Sequence, residues 1–133
     1  MKRHIAFVPA LLLLACFTSL VNAGQDTFAE CLANRGATMY SAWWCPYCLK
    51  QLQRLDPSFE GAQMKSPMIV MEKFPFVKEC TALVTGKFTQ ACQERGVKAI
   101  PTWEFRDGTR SEGVQELDVL AKKTGCTAPA PRE

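Results

Sequence analysis

Histidine is almost missing from this sequence, whose 133 residues contain a single one, His4. His4 lies in an N-terminal segment with the pattern of a cleavable export signal, so the mature chain is predicted to contain no histidine. This excludes catalysis by a histidine base, activation of a nucleophile by histidine, and histidine-ligated metal sites. We expect neither a bound metal nor a cofactor.

The sequence also lacks a strong excess of one charge. Its 16 Lys and Arg against 13 Asp and Glu give a net charge of +3, and Lys2 and Arg3 lie in the predicted signal. A nearly neutral mature chain gives no basis for a nucleic-acid or anionic-membrane surface. We therefore expect no nucleic-acid partner, and we expect a monomer.

A long apolar run is missing as well. The apolar segment over residues 5–15 follows two basic residues and is followed by small residues up to Ala23. It is shorter than the about 20 residues that a bilayer-spanning helix needs. This layout predicts a signal peptide over residues 1–23 that is removed after Ala23.

Removal of this signal leaves roughly 110 residues, which suits a single domain. We predict that domain over residues 24–126 and a flexible tail over 127–133. Two alternatives for processing stay open: an uncleaved anchor, and a lipoprotein box over residues 13–16 that would make Cys16 a lipid-bearing N-terminus. All of these alternatives export the protein, and we expect a periplasmic location.

The number of cysteines predicts disulfide bonds in the mature chain. Of the seven cysteines, Cys16 lies in the predicted signal, and an even number remains in the mature chain. In an exported chain this indicates disulfide bonds. The remaining cysteines are Cys31, Cys45, Cys48, Cys80, Cys92 and Cys126.

Apolar periodicity and turn residues predict alternating helices and strands. Asp107-Gly108 predicts a hairpin with a type I′ turn, and residues 68–71 are compatible with a strand or a packed turn because Pro67 argues against one long helix. The predicted elements are a helix over 26–34, a buried strand over 37–43, a helix over 46–55, a strand over 74–78, a helix over 85–95, a hairpin over 101–113, and a closing helix from 114 that ends before Gly125.

The chemistry centres on the run Trp44-Cys45-Pro46-Tyr47-Cys48, where a predicted strand meets a predicted helix. Cys45 precedes the first helical turn, whose free N–H groups and dipole stabilise a thiolate. Pro46 suits the first helical position. Cys48 lies one turn further along, within reach of Cys45. We interpret Cys45 as the attacking and Cys48 as the resolving thiol of a disulfide-exchange site.

This pair has two alternative interpretations, a zinc site and a static disulfide. Zinc would need two further ligands, and the other cysteines of the mature chain offer no second close pair. A static disulfide is the other alternative, and it would make the chain a binding module.

This motif, followed by Ile100-Pro101-Thr102, resembles the thioredoxin superfamily. More narrowly, the segments 36–40, 77–80 and 113–115 resemble the thioredoxin-like domain associated with bacterial vitamin K epoxide reductase homologues. The resemblance implies an α/β thioredoxin fold, with a central mixed β-sheet flanked by helices and an extra N-terminal helix. It also implies protein thiols and disulfides as partners, and a separate quinone-linked membrane oxidoreductase.

Carried over by resemblance, Pro101 is a cis proline opposite the dithiol, and Ile100 offers its backbone to an extended substrate. Trp44 and Tyr47 would contact substrate beside the dithiol, although the aromatic residues near the motif could equally be core. One departure concerns Met39, which occupies a position where many thioredoxins carry a buried acid. Proton transfer at Cys48 must then use water or another group.

The other cysteines are interpreted as structural disulfides. Cys80 and Cys92 would close a loop of about a dozen residues, worth roughly 3 kcal/mol, and similar cysteines recur in the resembling family. Cys31 and Cys126 would then pair by elimination, although sequence alone does not give connectivity. A redox relay through Cys80 and Cys92 is the alternative.

We therefore predict an exported thiol-disulfide oxidoreductase, with the direction of electron flow left open. The alternative from a different class is an exported copper or thiol carrier. Its basis is Met64, Met68 and Met71, soft ligands at helical spacing that could hold Cu(I). Packing is the competing explanation for these methionines.

Overall fold

The computed structural model describes residues 26–131. The predicted signal over residues 1–23, with Cys16, and the last two residues of the predicted tail lie outside this range. No helix in the described part combines the length and apolarity needed to cross a membrane. Its elements are α1 (Phe28–Asn34), β1 (Thr38–Ser41), α2 (Pro46–Leu55), a 3-10 helix (Gly61–Lys65), α3 (Pro67–Lys73), β2 (Val77–Glu79), α4 (Gln90–Glu94), β3 (Thr102–Glu104), β4 (Arg110–Glu112) and α5 (Leu117–Thr124).

A four-stranded mixed sheet organises the domain, with strand order β2-β1-β3-β4. β1 pairs in parallel with β2, so that Ser41 lies opposite Glu79. β1 pairs antiparallel with β3, and β3 pairs antiparallel with β4. The sheet, the flanking helices and the helix α1 before the first strand confirm the predicted α/β thioredoxin fold.

Aromatic side chains fill much of the core. Phe59 packs edge-on against Phe74 with ring centroids 5.0 Å apart, and Phe76 stacks on Trp103 at 5.1 Å. Trp103 in turn stacks with Phe105 at 6.5 Å. These contacts join the segment after α2 to the middle of the sheet, and burial of such large rings is a dominant source of stability.

The first and last helices are covalently joined by the bond between Cys31 and Cys126. The start of α1 is set by Thr27, whose hydroxyl accepts from the Glu30 N–H while the Glu30 carboxylate accepts from the Thr27 N–H. This reciprocal arrangement satisfies two of the free donors of the first turn. α5 ends at Gly125, which has a positive φ of 75°.

The segment after Pro67 is helical, so the expectation of a strand or packed turn there is wrong. Pro67 occupies the first position of α3, where its missing N–H has no helical partner to lose and its fixed φ suits the helix. The proline therefore begins a helix.

Two further boundaries differ from the expectation. The predicted helix over 85–95 is shortened to α4, because Thr81 and Phe88 form a bridge and hold the preceding residues in a loop. The hairpin turn is not type I′, since Asp107 has no positive φ. Instead the Gly108 N–H donates to the Phe105 carbonyl, and among the three loop residues 106–108 only Gly108 has a positive φ. This is the pattern of a three-residue loop with a bulge.

Gln51 of α2 is fully buried, although its side chain is polar. Its amide Nε2 donates to the Gln115 carbonyl at 3.1 Å. Its Oε1 accepts from Trp103 Nε1 at 3.2 Å and from the Gln115 N–H at 2.6 Å. Gln51 thereby links α2 to β3 and to the segment before α5.

Candidate active site

The end of β1 and the start of α2 position the two free cysteines. Cys45 is the N-cap of α2, and Pro46 is at the first helical turn. The Cys48 N–H donates to Cys45 Sγ at 3.3 Å, so an otherwise unpaired donor of the helix N-terminus points at this sulfur. Such a donor becomes stronger when the sulfur is charged. The first turn of α2 therefore directs a backbone donor at the Cys45 sulfur.

Cys48 is completely buried, whereas Cys45 keeps 4% of its surface exposed. Burial, reinforced by a hydrogen bond with Cys45, raises the pKa of the Cys48 thiol to about 12. Interactions of this sulfur with the Ser41 hydroxyl and the Ala42 backbone lower its pKa, without cancelling the effect of burial. At neutral pH Cys48 is a protonated thiol that must lose its proton before it can attack.

Pro101 lies opposite the dithiol, and the peptide bond between Ile100 and Pro101 is cis. The thiol of Cys45 points at the Ile100 carbonyl, with the sulfur 3.8 Å from the oxygen. A groove of about 410 Å³ runs along this side of the dithiol. It is lined by Tyr47, Lys50, Ala99, Ile100, Pro101, Gly113 and Val114.

Two exposed aromatic residues of the motif contrast with a buried aromatic residue of β3. Trp44 is 48% and Tyr47 63% exposed beside the dithiol, so both are available to a bound chain. Trp103 is fully buried in the core. The aromatic surface around the dithiol is therefore smaller than the aromatic content of the sequence allows.

A covalent link lies close to this surface. Cys80 is bonded to Cys92, and the loop that this bond closes runs beside Trp44, since a Cβ placed on Gly86 would lie 3.4 Å from Trp44 Nε1. Both bonded cysteines are fully buried. This position suits a structural element that shapes the rim of the site.

The methionines of the copper-carrier alternative do not share one environment. Met64 is buried in the core, while Met68 and Met71 are 81% and 64% exposed. Within residues 26–131, no cluster of three His, Cys, Asp or Glu side chains is arranged to hold a metal ion.

Two polar residues near the dithiol were not identified from the sequence, Ser41 and Glu79. They lie opposite each other on neighbouring strands, and both line a cavity of about 250 Å³ between β2 and α3. Burial raises the pKa of the Glu79 carboxyl, against hydrogen bonds from Thr81 and from the backbone of Trp43 that lower it. The position of Ser41, four residues before Cys45, is only a weak sequence indication that it lies near the site. Glu79 is brought there by strand pairing, which has no local sequence pattern.

The relatives of this chain among known proteins include two with named functions, while no family model matches the sequence. The chain is 31% identical over 114 residues to a thiol-disulfide oxidoreductase of Arabidopsis thaliana, an alignment covering 82% of this chain and 27% of that protein. It is 33% identical over 112 residues to a protein disulfide-isomerase of Gallus gallus, covering 80% of this chain and 20% of that protein. The chain thus spans less than a third of the length of either relative.

The structure combines a four-stranded mixed sheet with a dithiol at the start of α2 and a cis proline opposite it. Both relatives carry names that describe disulfide chemistry, and each alignment covers most of this chain. Fold, site and relatives together support a thioredoxin-like superfamily for this chain.

Proposed function

We propose that this protein is a thiol-disulfide oxidoreductase that exchanges disulfides with exported protein substrates through Cys45 and Cys48. The observation that carries the proposal is the asymmetry of the pair. One sulfur lies at a helix N-terminus with some exposed surface, and the other is buried, protonated and in hydrogen-bonding contact with it. A static disulfide or a structural metal ligand has no need of this difference.

The asymmetry assigns the two steps of exchange. The Cys45 thiolate attacks one sulfur of a substrate disulfide, and the other substrate sulfur leaves as a thiolate. Cys48 then loses its proton and attacks Cys45 Sγ, which breaks the mixed disulfide and releases the substrate as a dithiol. The same steps in reverse oxidise a substrate dithiol.

The groove beside Pro101 is the proposed binding place for an extended substrate segment. Ile100 and Pro101 supply backbone at its wall, and Tyr47 and Val114 supply apolar surface. Trp44, the residue before Cys45, adds exposed aromatic area. Backbone contact with a few apolar contacts tolerates many sequences, which suits an enzyme that acts on diverse proteins.

The resemblance to the domain associated with vitamin K epoxide reductase homologues suggests a membrane partner. We propose that a separate quinone-linked oxidoreductase exchanges electrons with this dithiol, and that the protein works in the periplasm. Mass measurement of the mature protein tests the export step. We expect the mass of a chain whose first residue is Gly24. The mass of a chain that begins at a lipid-modified Cys16 would support the anchored alternative. The mass of the full chain with its N-terminal segment intact would contradict cleavage.

The proposal is tested by Cys48→Ala, which removes the resolving thiol and should leave substrates trapped on Cys45. We expect mixed disulfides that disappear on reduction when the variant is expressed in its host, and mass spectrometry would identify the partners. The redox state of the trapped proteins in the wild-type background would give the direction of electron flow.

The matched control is the double variant Cys45→Ala with Cys48→Ala, which should trap nothing. If Cys48→Ala traps no protein while Cys45 still reacts with an alkylating reagent, the proposed function is wrong.

A further inference from the structure

The buried position of Cys48 creates a chemical requirement that the dithiol does not meet by itself. Its thiol proton must leave before the sulfur can attack, and the pKa of about 12 means that the thiolate is rare at neutral pH. Met39, which lies on β1 beneath the site, is fully buried and has no ionisable group. Another group must therefore accept the proton.

We infer that Ser41 and Glu79 form the proton path of Cys48, with the Glu79 carboxylate as the acceptor and the Ser41 hydroxyl as the link. This inference rests on the proposed exchange reaction and assigns a role to residues outside the dithiol. The register of the sheet makes Ser41 and Glu79 direct partners on the parallel strands β1 and β2.

The first half of the path is the contact between Ser41 and Cys48. The Ser41 side chain interacts with the Cys48 sulfur and lowers its pKa, and Ser41 is only 1% exposed. A hydroxyl accepts and donates at the same time. It can therefore take the thiol proton on one side while giving its own proton to the other.

The second half of the path crosses the cavity that Ser41 and Glu79 both line. Its volume of about 250 Å³ is ample for water, and water between the hydroxyl and the carboxylate would complete the chain. The other wall residues from α3 and the 3-10 helix are uncharged, and Lys78 is the only other charged residue among those lining it. The apolar members are Met64, Pro67, Val70, Met71 and Val77.

The Glu79 carboxylate is held in place by its neighbours. Its Oε1 accepts from the Thr81 N–H at 2.8 Å and from the Thr81 hydroxyl. The backbone of Trp43, two residues before Cys45, also hydrogen-bonds to it. Burial raises its pKa, which makes it a stronger proton acceptor than an exposed glutamate.

The S–H bond of Cys48 breaks and its proton passes through Ser41 to Glu79, while the new S–S bond to Cys45 forms. The bond between Cys45 and the substrate breaks, and its electron pair leaves on the substrate sulfur. In the reverse direction Glu79 returns the proton to the Cys48 thiolate.

Glu79→Gln tests this path, because glutamine keeps the shape and removes the acceptor. The reduced protein is mixed with the aromatic disulfide reagent DTNB under rapid mixing. The first thionitrobenzoate reports attack by Cys45 and scales with reagent concentration. The second reports resolution by Cys48 and does not depend on it.

We expect Glu79→Gln to slow the second phase by roughly 10²-fold, the lower end of what a positioned proton acceptor contributes, and to leave the first phase unchanged. In the wild type the second-phase rate should rise with pH as Glu79 loses its proton. The step in the profile that follows the titration of Glu79 should be absent from the variant, whose rate should only follow the direct ionisation of Cys48. A merely structural role would not produce this change.

The control is Glu72→Gln, which alters an exposed glutamate of α3 and should match the wild type. Ser41→Ala removes the link and should slow the second phase alone, so it decides the question if Glu79→Gln fails to fold by circular dichroism. A second phase that keeps its rate and pH profile in the folded variants would overturn the path. Because DTNB is not a protein substrate, this outcome is separate from a failure to trap partners.

Discussion

Gln51 shows how a single buried amide can tie three segments together. Its hydrogen-bonding partners are the buried indole of Trp103 and both backbone groups of the partly buried Gln115. A buried polar group that loses its partner costs about 1–3 kcal/mol. The Gln51 amide therefore contributes substantially to the free energy of unfolding, although glutamine is a polar residue.

Gln51→Leu should lower the free energy of unfolding by about 3 kcal/mol, because it leaves the Trp103 indole and the Gln115 backbone without partners. Denaturant unfolding followed by tryptophan fluorescence measures this change. Gln90→Leu, at an exposed position of α4, should stay within about 0.5 kcal/mol of the wild type. Equal midpoints for Gln51→Leu and the wild type would contradict the assigned role.

The same residue marks a limit of inference from sequence. Its spacing from Cys48 and Leu52 places Gln51 on the buried face of α2, whereas its polarity argues for the exposed face. Only the indole and backbone groups that meet it in three dimensions decide between the two. Those partners lie about fifty residues or more away along the chain and leave no local trace.

At the scale of elements, α2 was predictable because its signals are local. Pro46 at its start, the apolar face and Asp56-Pro57 at its end all lie within a dozen residues, and the predicted bounds match Pro46–Leu55. Pro67 was ambiguous because a proline can either end a helix or begin one. The bridge between Thr81 and Phe88, which shortens α4, is another pairing without a local pattern.

The proton path depends on strand pairing in the same way. Ser41 and Glu79 face each other only because β1 and β2 run in parallel with the observed register. A shift of one residue would turn one of the two side chains to the other face of the sheet. The dithiol could be located from sequence, whereas the groups that serve its buried sulfur could not.

At the scale of the whole molecule, two disulfides constrain very different lengths of chain. Cys80 and Cys92 are separated by 12 residues, and Cys31 and Cys126 by 95. In the chain-entropy model the stabilisation grows with the logarithm of loop length. The longer loop should contribute about 2 kcal/mol more than the shorter one.

Paired cysteine-to-alanine variants of each bond test this difference. We expect the variant without Cys31 and Cys126 to lose about 2 kcal/mol more unfolding free energy than the variant without Cys80 and Cys92. Denaturant titration measures both. A larger loss from the shorter loop would show that its contacts beside Trp44, and not chain entropy, dominate its contribution.

The bond between Cys31 and Cys126 has a mechanical consequence. It fastens α1 to α5, so a tensile force applied to the two ends of the chain would run through the sulfur atoms and largely bypass the sheet. The dithiol and its groove lie between the two anchor points, and they would be shielded from any pull exerted on the termini.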